Sequence, residues 1–226
     1  MRRSTVDYVH RGDLLRRRER IRRWVLGIGF LGAVTLFASL KQSEAGATGT
    51  SLFTSRESRL QASLDSAVGE LNLAKAELER ARRVLELSGR YRVAADLAAD
   101  IYDIALAEGI EPELGFRLVR TESEFRERAT SPVGAIGLTQ VMLPTARYFD
   151  KQITEKRLYD RKTNLRIGFR YLRTLIKEQK GDVRMALLVY NRGPVAVNAA
   201  IAQGLDPANG YDRVVMKGYH GRGTVD

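Results

Sequence analysis

The chain has 226 residues, with 38 lysines and arginines against 27 aspartates and glutamates, a formal charge of +11, two histidines and no cysteine. That length buries one core of ordinary size and leaves residues for an appendage. Without cysteine, a disulfide scaffold, a thiolate-ligated metal and a thiol nucleophile are excluded. With His10 and His220 at opposite ends of the chain, a histidine triad or multi-histidine metal site is not expected either. Catalysis must therefore rest on carboxylates, lysines, tyrosines or hydroxyls, and no metal or cofactor is expected.

The positive charge is concentrated at the start. Residues 1–23 hold nine arginines against Asp7, Asp13 and Glu19, a net charge of +6. Residues 24–40 (WVLGIGFLGAVTLFASL) then run without a charge. This is the short end of the roughly 17–25 apolar residues that a spanning helix needs. Two readings stay open. In one, the arginines form a cytoplasmic lead, residues 24–40 anchor the chain by a single pass through the cytoplasmic membrane, and the rest lies on the periplasmic or extracytoplasmic side. In the other, the run is the apolar part of a cleaved signal, with Ala45-Gly46-Ala47 as the processing site.

Residues 51–90 contain no proline and carry a heptad pattern. Leu64, Leu71, Leu78 and Leu85 recur every seven residues, with Leu60, Ala67, Ala74 and Ala81 at the companion positions. With the leucines at position a, Glu70 and Glu77 at g face Lys75 and Arg82 at the following e positions of a parallel partner. The pattern fits a homodimeric coiled-coil stalk through residues 57–88. It equally fits a monomeric helix packed on the domain behind it.

Residues 91–218 read as an all-α domain, with 219–226 as a C-terminal tail. Helical spacing runs from Val93 to a stop at Gly109, and Pro112 opens the next helix at a favoured first-turn position. Further helices are expected near Pro144 to Phe149, Thr163 to Lys180, Asp182 to Tyr190, Pro194 to Gln203 and Tyr211 to Lys217. No segment alternates for long enough to suggest a strand. Residues 91–226 carry a net charge of only +4 without a basic cluster, so nucleic acid is not an expected partner.

One carboxylate stands out by position. Leu114, Leu118 and Glu122 are spaced by four, so Glu122 continues the apolar stripe of its helix near the C-terminal end. Burial and the helix end should both raise its pKa, the condition for a general acid near neutrality. Glu124 and Glu127 suit a solvated role.

The residues around Glu122 identify a family. Val119-Arg120-Thr121-Glu122-Ser123-Glu124-Phe125 is followed by Gly134-Ala135, Gly137-Leu138-Thr139-Gln140 and Pro144-Thr145-Ala146. Asn164, Gly168, Tyr171 and Leu172 then form an N-x-x-x-G-x-x-Y-L pattern, followed by Val189-Tyr190-Asn191-Arg192-Gly193-Pro194 and a closing helix with Tyr211 and Val215. In this order the motifs resemble the peptidoglycan lytic transglycosylases with an SLT-type catalytic domain.

That resemblance implies a lysozyme-like fold and cleavage of the β-1,4 bond between N-acetylmuramic acid and N-acetylglucosamine. Glu122 would be the catalytic acid. It would protonate the leaving oxygen and then take a proton from the sugar's 6-hydroxyl, which closes to a 1,6-anhydro end. Ser123 and Gln140 would bind the glycan. Tyr190 would donate to the Glu122 carboxylate or its surroundings, and Asn191 would fix the loop or the substrate. A lysozyme-type hydrolase and a non-catalytic peptidoglycan-binding scaffold are the alternatives. Thr139 stands where the family commonly has methionine, which would alter a contact with the glycan or its stem peptide, and Arg192 would add positive charge near the cleft.

Overall fold

The computed structural model describes residues 49–225, with side chains from Arg56 onward. The basic lead 1–23 and the apolar run 24–40 lie outside the described residues. Among the described residues, no helix is long and apolar enough to cross a membrane. The chain divides into two compact units, Met1–Ser66 and Ala67–Asp226.

Helix α1 (Gly49–Tyr91) is built almost wholly from leucine, alanine, glutamate, arginine and lysine in its second half, residues with high helix propensity. Its end is set by local hydrogen bonds. Arg92 takes a left-handed conformation, φ 55°, while Val93 N–H donates to Ser88 O at 3.1 Å and Ser88 Oγ donates to Val93 O at 2.7 Å. These bonds satisfy carbonyls that a helix end leaves unpaired. In the second unit, only Val84 and Leu87 of α1 are buried in the core, with Tyr91 packed against it.

Helices α2 (Ala95–Ala107) and α3 (Pro112–Ser123) pack on α6 (Arg161–Glu178) through Ile101, Leu114, Phe116, Leu118 and Phe169, all fully buried. A side chain at Gly115 would press on Phe169 and Ala105, so this residue sets how closely α3 approaches its neighbours. Two short strands, β1 (Ala135–Ile136) and β2 (Val141–Met142), form an antiparallel pair with Ala135 opposite Met142. Two-residue strands are too short to leave an alternating signature, which is why the sequence pattern showed none. With α4 (Leu143–Phe149) and α5 (Glu155–Leu158) they enclose a second, smaller core of Ile136, Val141, Ala146, Ile153, Leu158 and Ile167. Helix α6 contributes to both cores. Helices α7 (Val183–Arg192), α8 (Pro194–Ala202) and α9 (Tyr211–Met216) complete the domain.

Asn164 joins the two cores. It is 1% exposed, and its Nδ2 donates to Ile136 O and Leu158 O, while its Oδ1 accepts from the Thr139 backbone N–H and from Thr139 Oγ1. Gly168, one helical turn on and on the same face, leaves room for Thr139: a Cβ there would collide with the threonine side chain. The spacing Asn164–Gly168 is thus a packing requirement, one residue tying the 136–139 segment and the other admitting it.

The last residues do not form a free tail. Tyr219 is buried and its hydroxyl donates to Glu111 Oε2 at 2.6 Å while accepting from Gly223 N–H at 2.8 Å. Glu111 N–H donates to Gly223 O, and Ile110 bridges Thr224, so residues 219–224 are strapped to the N-terminal end of α3.

Replacing Gly168 with alanine should lower stability by about 1–3 kcal/mol through overpacking against Thr139. The check is a lower urea midpoint at unchanged denaturant slope, and an unchanged midpoint would refute the packing role.

Candidate active site

Glu122 is the penultimate residue of α3, half-buried, with its carboxyl facing Tyr211 from α9. The Tyr211 hydroxyl donates a short hydrogen bond to Glu122 Oε1. Burial pushes the Glu122 carboxyl up to about 7, opposed by the Tyr211 hydrogen bond, which favours the ionised form. The phenol itself is held well above its ordinary value, first by burial and then by the Glu122 charge, so Tyr211 stays a neutral donor.

Tyr190, on α7, is the second phenol of the site. Its hydroxyl donates to Thr139 O at 2.8 Å, and its pKa is raised by burial and next by the charge on Glu122. It therefore bonds the surroundings of the acid, with Tyr211 bonding the carboxylate itself. The rings of Tyr171 and Tyr190 lie 5.1 Å apart and fix the tilt of Tyr190.

Ser123 lies only 2% exposed, with Oγ 3.0 Å from Val119 O and 2.8 Å from Leu138 O. In this conformation it ties the 137–140 segment to the end of α3. Gln140 is half-buried in a left-handed conformation, φ 46°, and its Nε2 donates to Gly137 O at 2.9 Å and Ala129 O at 3.3 Å. With the amide donors committed to backbone, the group it offers a ligand is the Oε1 acceptor. Asn191 is exposed, and its Oδ1 accepts from Asn209 Nδ2 at 2.8 Å. Asn209 Oδ1 in turn accepts the Tyr211 backbone N–H at 3.2 Å, so Asn191 reaches Glu122 through Asn209 and Tyr211.

Two expectations change, for Thr139 and Glu127, and the anchoring of Arg192 is defined. The Thr139 side chain is fully buried and bonded to Asn164, so it makes no contact with a glycan or stem peptide; only its carbonyl faces the site, through Tyr190. Arg192 Nη1 donates to Pro207 O at 2.5 Å, tying the end of α7 to the loop before α9. Glu127 is not merely solvated, because Arg161 bonds it at 2.5 Å while also holding Asp96 and Asp100. Glu124, by contrast, is exposed at the left-handed end of α3.

Sequence reasoning placed Tyr211 in a motif without assigning it a bond, and it missed Asn209 and Asp212. Asp212 is fully buried beside Tyr211, and its Oδ2 accepts from Arg184 Nε at 3.0 Å and Nη2 at 2.8 Å. A buried aspartate one residue from the closing tyrosine, with an arginine at the start of α7, is a pairing that periodicity does not reveal. Among the described residues no cluster of histidine, aspartate and glutamate could hold a metal ion.

Residues 101–209 match the transglycosylase SLT domain family. The chain carries an SLT-type transglycosylase domain. A relative described as a transglycosylase, from Enterobacteria phage PRD1, is 38% identical over 89 residues, covering 39% of this chain and 32% of that protein. The chain thus spans about a third of that relative's length. Among solved structures, the 70 kDa soluble lytic transglycosylase of Escherichia coli matches at 24% identity and TM-score 0.49, over 57% of this chain and 24% of that one. An inactive mutant of the lytic transglycosylase Slt from Pseudomonas aeruginosa matches at 25% identity and TM-score 0.46, over 52% and 22%. The SLT match begins at Ile101 inside α2 and ends at Asn209, two residues before the tyrosine that bonds Glu122. Helix α9 belongs to the site by geometry.

A glutamate protonated more readily when folded destabilises the fold as it ionises. Its ordinary value is 4.5 and its folded value about 7, so the penalty is absent below pH 4.5, grows between the two and is complete above 7. Glu122→Gln should therefore gain stability relative to the parent as pH rises from 4.5 to 8, by about 2–3 kcal/mol at the upper end. Parallel denaturant titrations at pH 4.5 and 8 check this; an equal difference at both pH values would contradict the buried acid.

Proposed function

We propose that the SLT domain cleaves peptidoglycan as a lytic transglycosylase, breaking the β-1,4 bond between N-acetylmuramic acid and N-acetylglucosamine and leaving a 1,6-anhydro end. The observation that carries this reading is the Glu122 carboxyl, half-buried at the end of α3 with a phenol donor on one oxygen, where burial pushes its pKa up to about 7. Such a group is substantially protonated at neutral pH and can act as an acid and then as a base, because its pKa lies close to the operating pH.

The steps follow from that arrangement. Glu122 gives its proton to the glycosidic oxygen as the bond to the muramic-acid anomeric carbon breaks. The new carboxylate is stabilised by the Tyr211 hydroxyl, whose hydrogen bond is stronger to the ionised group. Ordinary glycosidases bring a second carboxylate to the reacting carbon. The motifs assign no second carboxylate beside Glu122, so in this reading the stabilisation falls to the substrate's own 2-acetamido group. Glu122 then takes the proton of the 6-hydroxyl as that oxygen closes on the anomeric carbon. Gln140 would accept a hydrogen bond from the glycan through Oε1. Ser123 and Asn191 would serve by holding the 137–140 segment and Asn209 in place.

The chain beyond residue 40 is proposed to act outside the cytoplasmic membrane. The motive is its order along the sequence: an arginine-rich lead, the apolar run 24–40, the helical stretch 51–90 with a heptad face suited to self-pairing, and then the wall-cleaving domain. A reporter fused after Asp226 should be active on the extracytoplasmic side, and activity confined to the cytoplasm would overturn this topology.

Digestion of purified peptidoglycan tests the chemistry. Mass spectrometry should find muropeptides one water lighter than hydrolysed ends. Reducing ends alone would assign the domain to hydrolysis, as in a lysozyme. Glu122→Gln should abolish product, and a retained rate would remove Glu122 from the mechanism. Tyr211→Phe should slow the reaction by about 10–100-fold and move the Glu122 limb of the pH profile upward, because the lost hydrogen bond had been favouring the carboxylate.

A further inference from the structure

We infer that α1 pairs with the α1 of a second copy of this chain as a parallel, in-register coiled coil, using the leucine face between Ala67 and Leu85. This concerns the stalk alone and stands whether or not the catalytic reading holds.

The first observation is that the domain leaves this face uncovered. Its own contact with α1 uses Val84, 5% exposed, and Leu87, 6% exposed, with Tyr91 below them. Leu71, Leu78 and Leu85 are 53%, 71% and 64% exposed, and Ala67, Ala74 and Ala81 beside them are exposed too. At 3.6 residues per turn, the stripe of Leu78, Ala81 and Leu85 is centred about 120° around the helix from Val84 and Leu87, which meet the domain. The two faces are separate, so packing on the domain does not satisfy the heptad. A helix that leaves a continuous apolar stripe in water has a face to bury.

The second observation is where the charges are spent. Charges on the remaining sides of α1 are paired within the chain: Arg80 with Asp103, Arg83 with Glu79 and Glu86, and Arg90 with Glu86 and Glu113. Glu70, Lys75, Glu77 and Arg82 form no ion pair in their own chain among the described residues. These four are the charged residues among the flanking e and g positions, the others being Val68 and Val84. In a parallel pair, Glu70 meets Lys75 of the partner helix and Glu77 meets its Arg82, both attractive. In an antiparallel pair, g faces g and e faces e, setting glutamates against glutamates and cations against cations. Charge therefore selects a second copy of the same helix, and selects its direction.

The third is the alanine column. Ala67, Ala74 and Ala81 sit at the d positions, where a small side chain lets the two backbones approach closely.

Because the chain has no cysteine, single substitutions report pairing directly. In the full-length chain in detergent, Ala67→Cys and Ala81→Cys should each form a disulfide-linked dimer under mild oxidation, since in-register d positions fall within the 4.4–6.8 Å Cα separation that a disulfide needs. Ala76→Cys, on the outward side, should form at least tenfold less dimer. Lys75→Glu with Arg82→Glu in the Ala81→Cys chain should lose the crosslink, and adding Glu70→Lys with Glu77→Lys should restore it. Crosslinks only in mixtures of Ala67→Cys with Leu78→Cys or Leu85→Cys chains, d facing a, would mean an antiparallel pair and overturn the inference. Equal crosslinking at all three positions, none at any, or indifference to the charge reversal would overturn it as well. The α-helical circular dichroism of each variant separates loss of pairing from loss of fold.

Discussion

A carboxyl group that serves in turn as acid and base has to be desolvated enough to hold a proton at neutral pH and supported enough to survive ionised. Glu122 meets both demands through one hydrogen bond set inside a half-buried site. Removing water alone would push the acid toward permanent protonation, and full exposure would leave it permanently charged. The Tyr211 hydroxyl supplies the counterweight without bringing a formal charge. The rest of the domain can be understood by what it takes to keep that phenol and that carboxyl together.

The difficulty is that Tyr211 opens a helix of six residues, far below the length at which a helix holds itself in water. Helix α9 is held from outside. Arg184 reaches across from α7 to the buried Asp212, and Arg117 from α3 donates to the carbonyls of Val215 and Lys217 at the far end of α9. Arg117 lies on the helix that carries Glu122, so acid and phenol are braced to each other by two routes. Asn209 adds a third at the first turn, taking the Tyr211 N–H while its own amide is held by Asn191. Asp212 Oδ1 is buried without a partner, a cost accepted in a carboxylate whose other oxygen takes two bonds from one guanidinium.

The opposite wall is organised around Asn164. Its four hydrogen bonds fix Ile136, Leu158 and Thr139, and through the Thr139 carbonyl they fix Tyr190. Here the sequence was informative about identity and silent about cause. The spacing of Asn164 and Gly168 placed both on one helix face, and that much was legible. That the face receives Thr139 required the fold, because the partner lies 25 residues upstream in a segment with no periodicity of its own. The same limit hid the Tyr211–Glu122 bond, which joins residues 89 apart. Position on an apolar stripe drew attention to Glu122, since burial of a helix face is written in local spacing, and the motifs around it made the selection. Its hydrogen-bond partner was not, since that is a property of where a short helix is clamped. Tyr219 and Gly223 were unreadable for a related reason: a few residues past the last helix look like a tail unless their partner, Glu111, is known to face them.

Helix α1 presents the reverse case, where local pattern carries nearly everything and the fold adds which positions the domain takes up. A heptad in isolation fits a helix packed on its own domain as well as one packed on a copy of itself. The positions at which the domain takes hold, Val84 and Leu87, fall outside the a and d series. One side of the helix is thus taken up by the domain's own core, and the leucine side is the one proposed to pair with a second copy. That separation lets the catalytic site and the stalk vary independently. Changes along the leucine face need not disturb α3, because Glu113, which receives Tyr91 and Arg90 from the end of α1, is reached from the domain-facing side of the helix.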